Sequence, residues 1–225
     1  MKTIQRRIML LCSSMLLLCT GCISVDDPQT KLLQYMENRY PDDNFTWIHN
    51  VVGGEGKNTF ETFEIIMESE KFPDAEIHAA RWKSNGEFIY ADNYMAYYLE
   101  DDVNAYMHEI AEDCFGECKV YVHFSYGKMA SSAFPTNATA EDYLKSMPSC
   151  GFAVYLAPEG HSKEDALTAL TVFQDTLTQK KYYSITGGVR IIKDKEAYEE
   201  ISSYDGPPGG FFDNPICDFV GGFEV

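Results

Sequence analysis

Apolar positions recur along the chain with two periods, one near 3.6 and one of 2, and the alternation between them lays out the elements. Leu32, Leu33, Tyr35 and Met36 fall at helical spacing, so Lys31 to Tyr40 predicts a helix that Pro41 stops. Phe45 to Val52 and Thr59 to Ser69 are rich in aromatic and β-branched residues and flank Gly53-Gly54-Glu55-Gly56-Lys57-Asn58, the pattern of a hairpin with a flexible tip. A second hairpin is sharper. Ile77 to Lys83 and Glu87 to Tyr90 are joined by Ser84-Asn85-Gly86, and Asn-Gly supplies the positive φ angles that a tight turn between twisted strands requires.

Met95, Leu99, Val103, Tyr106, Ile110 and Cys114 draw one apolar stripe, which predicts a single long helix from Asn93 to Phe115 with its acidic residues facing water. Gly116 ends it as the residue after the cap. In Cys118 to Phe124 the side chains alternate, Val120, Val122 and Phe124 to one side and Lys119, Tyr121 and His123 to the other, as in a half-buried strand. Ser125 to Thr139 is small, polar and proline-containing, a connector or soft boundary. Beyond it come a short helix over Ala140 to Met147 and an unbroken apolar run, Phe152 to Leu156, suited to a strand covered on both faces. Ser162 and Asp165 open a helix to Gln179 with Leu167, Leu170, Phe173, Gln174 and Leu177 on one face. Tyr182 to Lys193 returns as strand, with Gly187-Gly188 as a turn or interruption, and Asp194 to Ser203 closes with a short helix. The pattern is that of an α+β fold, a mostly antiparallel sheet with packed helices and room for two subdomains, 31–126 and 140–203, followed by a Gly/Pro/Phe-rich tail, 204–225, whose Phe211, Phe212 and Phe219 could dock back.

The start of the chain has a different character. Lys2, Arg6 and Arg7 precede an apolar stretch from Ile8 to Leu18, a length that fits an export signal and falls short of a spanning helix. Leu18-Cys19-Thr20-Gly21-Cys22 follows, with small residues at −3 and −1 of a cut before Cys22. This resembles the lipobox of bacterial lipoproteins, with Cys19 where that family prefers Leu; the resemblance implies a diacylglycerol thioether on Cys22 and a signal peptide over 1–21. The signal holds three of the 18 basic residues and no acidic one, so the 204 residues from Cys22 onward carry 15 against 35, a net charge of −20. Such a body is repelled by anionic headgroups, so acyl chains would hold it, at about 0.8 kcal/mol per buried CH₂, through a polar tether over 22–30. The same acidity argues against nucleic acid, which needs a positive face.

Asp92-Asn93-Tyr94-Met95-Ala96-Tyr97-Tyr98, the acidic run through Ile110-Ala111-Glu112-Asp113 and Phe115-Gly116-Glu117, and Val189-Arg190-Ile191-Ile192 with the Lys195 to Ile201 helix are similar to a group of predicted lipoproteins of Gram-positive, Clostridia-like gut bacteria. The resemblance implies an anchored α+β body on the extracytoplasmic face of the cell membrane and no particular chemistry.

Motifs with chemical meaning fall short of their requirements. His108-Glu109-Ile110-Ala111-Glu112 puts Glu where the zinc helix H-E-x-x-H needs its second His. Gly53 to Asn58 lacks the first glycine and the Ser/Thr of a phosphate loop, and there is no G-x-S-x-G elbow and no Asp/Asn alternation of a calcium loop. Cys114, Cys118, Cys150 and Cys217 could pair as disulfides in three ways, and a Cys114–Cys118 bridge across the Gly116 turn is sterically possible. Tyr94, Tyr97 and Tyr98 are core aromatics or an exposed surface for sugar or peptide. The expectation is therefore a non-catalytic binding or interaction module without cofactor or metal, meeting an envelope protein or glycan. The alternative is an envelope hydrolase using dispersed carboxylates with His108 or His123, and a transporter's solute-binding protein ranks below both because the body is small for two lobes.

Changing Cys22 to Ser is expected to release the protein into the medium or periplasm. Fractionation of cells expressing that variant checks this, and persistence in the membrane fraction would remove the lipid anchor from consideration.

Overall fold

The computed structural model of the chain describes residues 27–51, 62–124, 129–146, 150–182, 184–204 and 217–224. Cys22 with the whole signal, the Gly53 to Asn58 tip, Ser125 to Lys128 and the Phe211-Phe212 pair lie outside the described residues.

Helix α1, Pro28–Arg39, begins three residues earlier than its apolar spacing indicates, because Asp27 caps it by accepting from the Thr30 N–H at 2.9 Å and Pro28 suits the first helical position. Strands β1 (Phe45–Asn50), β2 (Thr62–Ser69), β3 (Ile77–Ser84) and β4 (Glu87–Asp92) follow. The β3–β4 turn is the expected one, with Asn85 at φ 53° and Gly86 at φ 88°. The long helix is broken into α2, Tyr94–Tyr98, and α3, Glu100–Phe115, at Leu99, whose φ of −101° and ψ of 3° leave the helical region. The break turns the buried stripe of α3 onto Val103, Met107, Ile110, Ala111 and Phe115, leaving Tyr106 and Cys114 half-buried.

Strand β5 is Cys118–Phe124, and the connector after it is no gap between domains, since β6, Ala130–Ser131, pairs with β4 and Phe134 and Ala138 enter the core. Helix α4 (Ala140–Ser146), strand β7 (Cys150–Leu156), helix α5 (Lys163–Lys180), strand β8 (Ile185–Ile192), helix α6 (Lys195–Glu200) and strand β9 (Cys217–Glu224) complete the order. On α5 the buried row is Ala166, Leu170, Phe173 and Leu177, and Leu167 faces outward. The Gly187-Gly188 doublet sits inside β8, and the end of the tail forms a full strand.

Two sheets result. The order β1-β2-β3-β4-β6 is antiparallel throughout; β5-β7-β8-β9 is antiparallel except for β7 and β8, which run parallel and are joined through α5. The α+β class is as the patterning indicates. One apolar cluster runs through α1, the inner faces of both sheets, α3 and α5. A smaller one lies on the other face of the second sheet, where α6 covers Ala153, Tyr155 and Ile192. Lys119 fixes α6 there by donating to the carbonyls of Tyr198, Glu199 and Ile201 at 2.8, 2.9 and 3.0 Å, which satisfies acceptors left open at a helix C-terminus.

Gly187 is the tightest point of the second sheet. A Cβ there would stand 2.3 Å from Cζ of Phe223 and 2.4 Å from the Phe152 carbonyl oxygen, so the inner Phe223 ring lies flush on the strand because no side chain intervenes. Gly187→Ala is expected to destabilise the fold by about 1–3 kcal/mol through overpacking. A urea midpoint unchanged from wild type would show that the sheet gives way there.

Candidate functional site

Two polar features stand out against the apolar core. The first is a pair of buried carboxylates at the end of the first sheet. Asp92, fully buried at the end of β4, accepts from Tyr35 Oη at 2.6 Å, Tyr40 Oη at 2.8 Å and the Tyr94 N–H at 3.1 Å, with Arg39 Nε at 3.4 Å. Arg39 donates from Nε to Tyr40 Oη at 2.9 Å and from its two terminal nitrogens to the carbonyls of Ser132 and Phe134. Asp43 accepts from Ser69 Oγ, from Tyr94 Oη at 2.9 Å and from the N–H groups of Asn44 and Lys71 at 2.8 and 3.1 Å. Burial pushes the Asp92 carboxyl above its ordinary range, and the neutral tyrosine donors and Arg39 do not fully offset it. Burial pushes Asp43 the same way, but there the hydrogen bonds from Ser69, Tyr94 and the two N–H groups together win and hold it below its ordinary range. The phenols of Tyr35, Tyr40 and Tyr94 are raised by burial first and by the neighbouring carboxylates second.

A cavity of about 260 Å³ opens beside this network between Arg39, Asp43, Lys71, Tyr94 and Tyr98. The three tyrosines of α2 divide their duties. Tyr94 is core, Tyr97 is half-buried against Phe72, and Tyr98 is 48% exposed beneath the Lys71 ammonium. Every oxygen of the two carboxylates has its donors, so the arrangement is a satisfied polar core that locks α1 to the sheet.

The second feature is a trench on the outer face of the second sheet. Strand pairing carries three rows across that face: Lys119, Tyr155, Arg190 and Phe219; Tyr121, Ala153, Gly188 and Gly222; His123, Gly151, Thr186 and Glu224. The middle row becomes glycine on β8 and β9; the Phe219 and Arg190 side chains reach over Gly188, and the floor is bare at Gly222. The flanking rows stand four residues apart, roughly 13 Å along the strands. The Phe219 ring leans over Gly188, and the Arg190 guanidinium packs on that ring at 5.6 Å from its centroid. Tyr204, following α6, closes the β7 end with its hydroxyl over Gly151 and its ring stacked on His123 at 5.0 Å. The cavity so formed is about 600 Å³, and Thr186, Arg190, Tyr204, Phe219 and Glu224 are among its lining. That volume lies in the ~300–1,000 Å³ range of small-molecule sites. Phe219 is 53% exposed at its rim.

The residues singled out in the sequence are dispersed. His108 Nε2 lies 3.0 Å from the Cys118 carbonyl and Nδ1 4.0 Å from Glu112, the weak i, i+4 pair of a helix surface. His123 lies near the far end of β5, against Tyr204, so neither imidazole joins the buried carboxylates. Of the four cysteines, Cys118 and Cys150 are buried and Cys114 and Cys217 half-buried. Cys118 and Cys150 sit at opposite ends of the β5–β7 ladder, roughly 20 Å apart along the strands, and Cys150 and Cys217 are as far separated through β8. Cys118 and Cys217 share an end but stand three strand spacings apart, about 14 Å. The register thus keeps Cys118, Cys150 and Cys217 apart from one another, while Cys114, at the end of α3, lies close enough to Cys118 to act on its thiol. Burial pushes the Cys118 thiol up to about 12, with Glu112 and Cys114 adding to it, which makes it a poor nucleophile. Among the described residues no cluster of three or more metal-ligating side chains occurs, and no helix is long and apolar enough to cross a membrane.

No family model and no curated protein matches the chain. Among solved structures it is loosely similar to a DUF5037 family protein from Ruminococcus gnavus, at 12% identity over 76% of this chain and 77% of that one, with a TM-score of 0.34. A likeness that loose carries no argument about fold or function.

The opposite shifts of the two carboxylates make a test of the network. Asp43, held below its ordinary range, contributes stability that is present above the unfolded aspartate pKa and lost as pH falls through the folded one. Asp43→Ala is expected to cost about 1–3 kcal/mol at neutral pH. The gap from wild type should narrow toward pH 2, as wild type progressively loses that contribution below the unfolded aspartate pKa of about 3.9. Urea midpoints at both pH values check it, and a gap of constant size would mean that the ionised form is not what the four donors hold.

Proposed function

We propose that the chain is a membrane-anchored binding module, held on the extracytoplasmic face through lipid on Cys22 and engaging its ligand in the trench of the second sheet. The observation that carries the reading is the trench itself, a cavity of about 600 Å³ with a glycine floor bare at Gly222 and an exposed aromatic rim. Among the described residues its lining holds no cysteine, histidine or serine, and its polar groups stand around the edge where they can orient a ligand. The anchor is supported by the signal and the Leu18 to Cys22 motif. Because α1 starts at Pro28, the tether shortens to Ile23 to Asp27, at most about 18 Å of extended chain, and the body would stay close to the bilayer.

A photo-crosslinking benzophenone side chain placed at Glu224, on the trench rim, is expected to capture a ligand in intact cells that the same group at Val172, exposed on α5, does not. Capture of nothing from position 224, or of the same species from both positions, would end the reading.

A further inference from the structure

The ligand class follows from how the trench is lined, and the step rests on the binding-module reading above. Each wall has a distinct chemistry. On one side stands Phe219, 53% exposed, with the Arg190 guanidinium over its ring and its Cε2 edge against Gly188, where a Cβ would come within 3.3 Å. On the other side stand the Thr186 hydroxyl and the Glu224 carboxylate, both exposed. Tyr204 lines the closed end. Gly222 bares the floor between them, and the nearest atom to a Cβ there is the Gly187 carbonyl oxygen at 3.4 Å.

Four ligand chemistries can be set against this lining. A purely apolar ligand would cover Thr186 and Glu224 and leave them without hydrogen-bond partners, which costs about 1–3 kcal/mol for each. An anion would find one cation, Arg190, already set on Phe219, and would meet the Glu224 carboxylate at the rim and the field of a chain whose net charge is −17. An extended peptide gains most by adding to a strand ladder, yet the trench runs across the strands, so a strand lying in it could form no such ladder with β8 or β9. A neutral ring with a C–H face and a rim of hydroxyls meets none of these objections. Its apolar face packs on Phe219, its edge hydroxyls exchange hydrogen bonds with Thr186, Glu224 and Tyr204, and its thickness is accommodated by the glycine floor. We propose that the trench formed by Gly188, Gly222, Phe219, Thr186 and Glu224 is a binding site for a neutral saccharide, one or more pyranose units stacked on Phe219.

The experiment is calorimetric titration of the full chain in lipid nanodiscs with four neutral tetrasaccharides: maltotetraose, cellotetraose, chitotetraose and mannotetraose. At least one is expected to bind saturably. Phe219→Ala should weaken that binding at least tenfold. Gly222→Leu should abolish it by filling the floor; Gly222 has no positive φ and its Cβ meets ordinary contacts, so the melting temperature should stay at the wild-type value. Thr186→Ala, a surface change, should weaken binding several-fold and serves as the readout if either larger substitution disturbs the fold. Absence of saturable binding by all four sugars overturns the saccharide proposal, and so does binding that survives Phe219→Ala, Gly222→Leu and Thr186→Ala unchanged. Failure here with specific capture at position 224 leaves the binding-module reading standing with a different ligand; failure of both removes the trench as a ligand site.

Discussion

Much of the first sheet's geometry depends on one buried carboxyl group, that of Asp92. A carboxylate out of contact with water is tolerated only where donors converge on it, and Asp92 draws them from α1 and from the start of α2 while Arg39 links it to a third part of the chain. Tyr35 and Tyr40 come from α1 and its end, the Tyr94 N–H from the start of α2, and Arg39 brings the backbone of Ser132 and Phe134 with it. The helix, the end of β4 and the segment after β6 are therefore held in one arrangement. Aromatic packing seals the site, with the Tyr40 and Tyr94 ring centroids 4.1 Å apart and the Phe45 and Phe72 rings set on edge to Tyr94. Asp43 repeats the device from the loop after α1, sharing Tyr94 as a donor and tying β2 to the same point through Ser69. Both carboxylates are saturated with partners, which suits a structural lock and leaves little capacity for proton transfer to a substrate.

The second sheet is built on the opposite principle, the removal of side chains. Gly187 faces inward and admits the Phe223 ring, which packs edge-on against Phe173 of α5. Gly221 faces the same way and lies against Leu170, where a Cβ would come within 2.8 Å. Gly188 and Gly222 face outward and leave the trench. Adjacent glycines on β8 and on β9 thus serve different faces, one for the core and one for the surface, because successive residues of a strand point to opposite sides. The bulge between Val189 and Arg190 shifts the register so that Val220 and Gly221 both address the core while Phe219 is turned outward beside Arg190.

Local patterns made most of the elements legible in the sequence. The Asn85-Gly86 turn, the alternation in Cys118 to Phe124, the twice-buried β7 and the Ser162 cap all stand where periodicity and turn chemistry put them. What failed did so for lack of tertiary information. The break at Leu99 has no breaker residue; it arises where α2 packs under the tyrosine network while α3 turns to meet β5, so an unbroken stripe reads as one helix. Gly187-Gly188 has the composition of a turn, and only the presence of Phe223 and Phe219 on either side shows it to be strand. The Asp92 network was hidden because its partners lie 52 and 57 residues away and form no motif. Arg190, Phe219 and Glu224 were invisible as a set for the same reason, since β9 was read as a tail and its pairing with β8 is what brings them together.

The exposure of Phe219 is the point at which fold and function meet. Among the described residues β1 and β9 each form one of the two outer strands of their sheets, and an exposed apolar side chain on such a strand invites unwanted pairing. Both strands are interrupted by bulges, and β9 carries Asp218 in an ion pair with Lys193 at 2.7 Å, devices that blunt an edge. On β1 the exposed Trp47 is restrained by a hydrogen bond from its indole to Asn50. The bulge in β9 does more than blunt its edge: it directs a large ring outward, onto a glycine and against a guanidinium, when a polar residue there would have carried no aggregation risk. A fold that protects its edges and still holds an aromatic ring half-exposed beside a bare glycine has the geometry that the proposed ligand site requires.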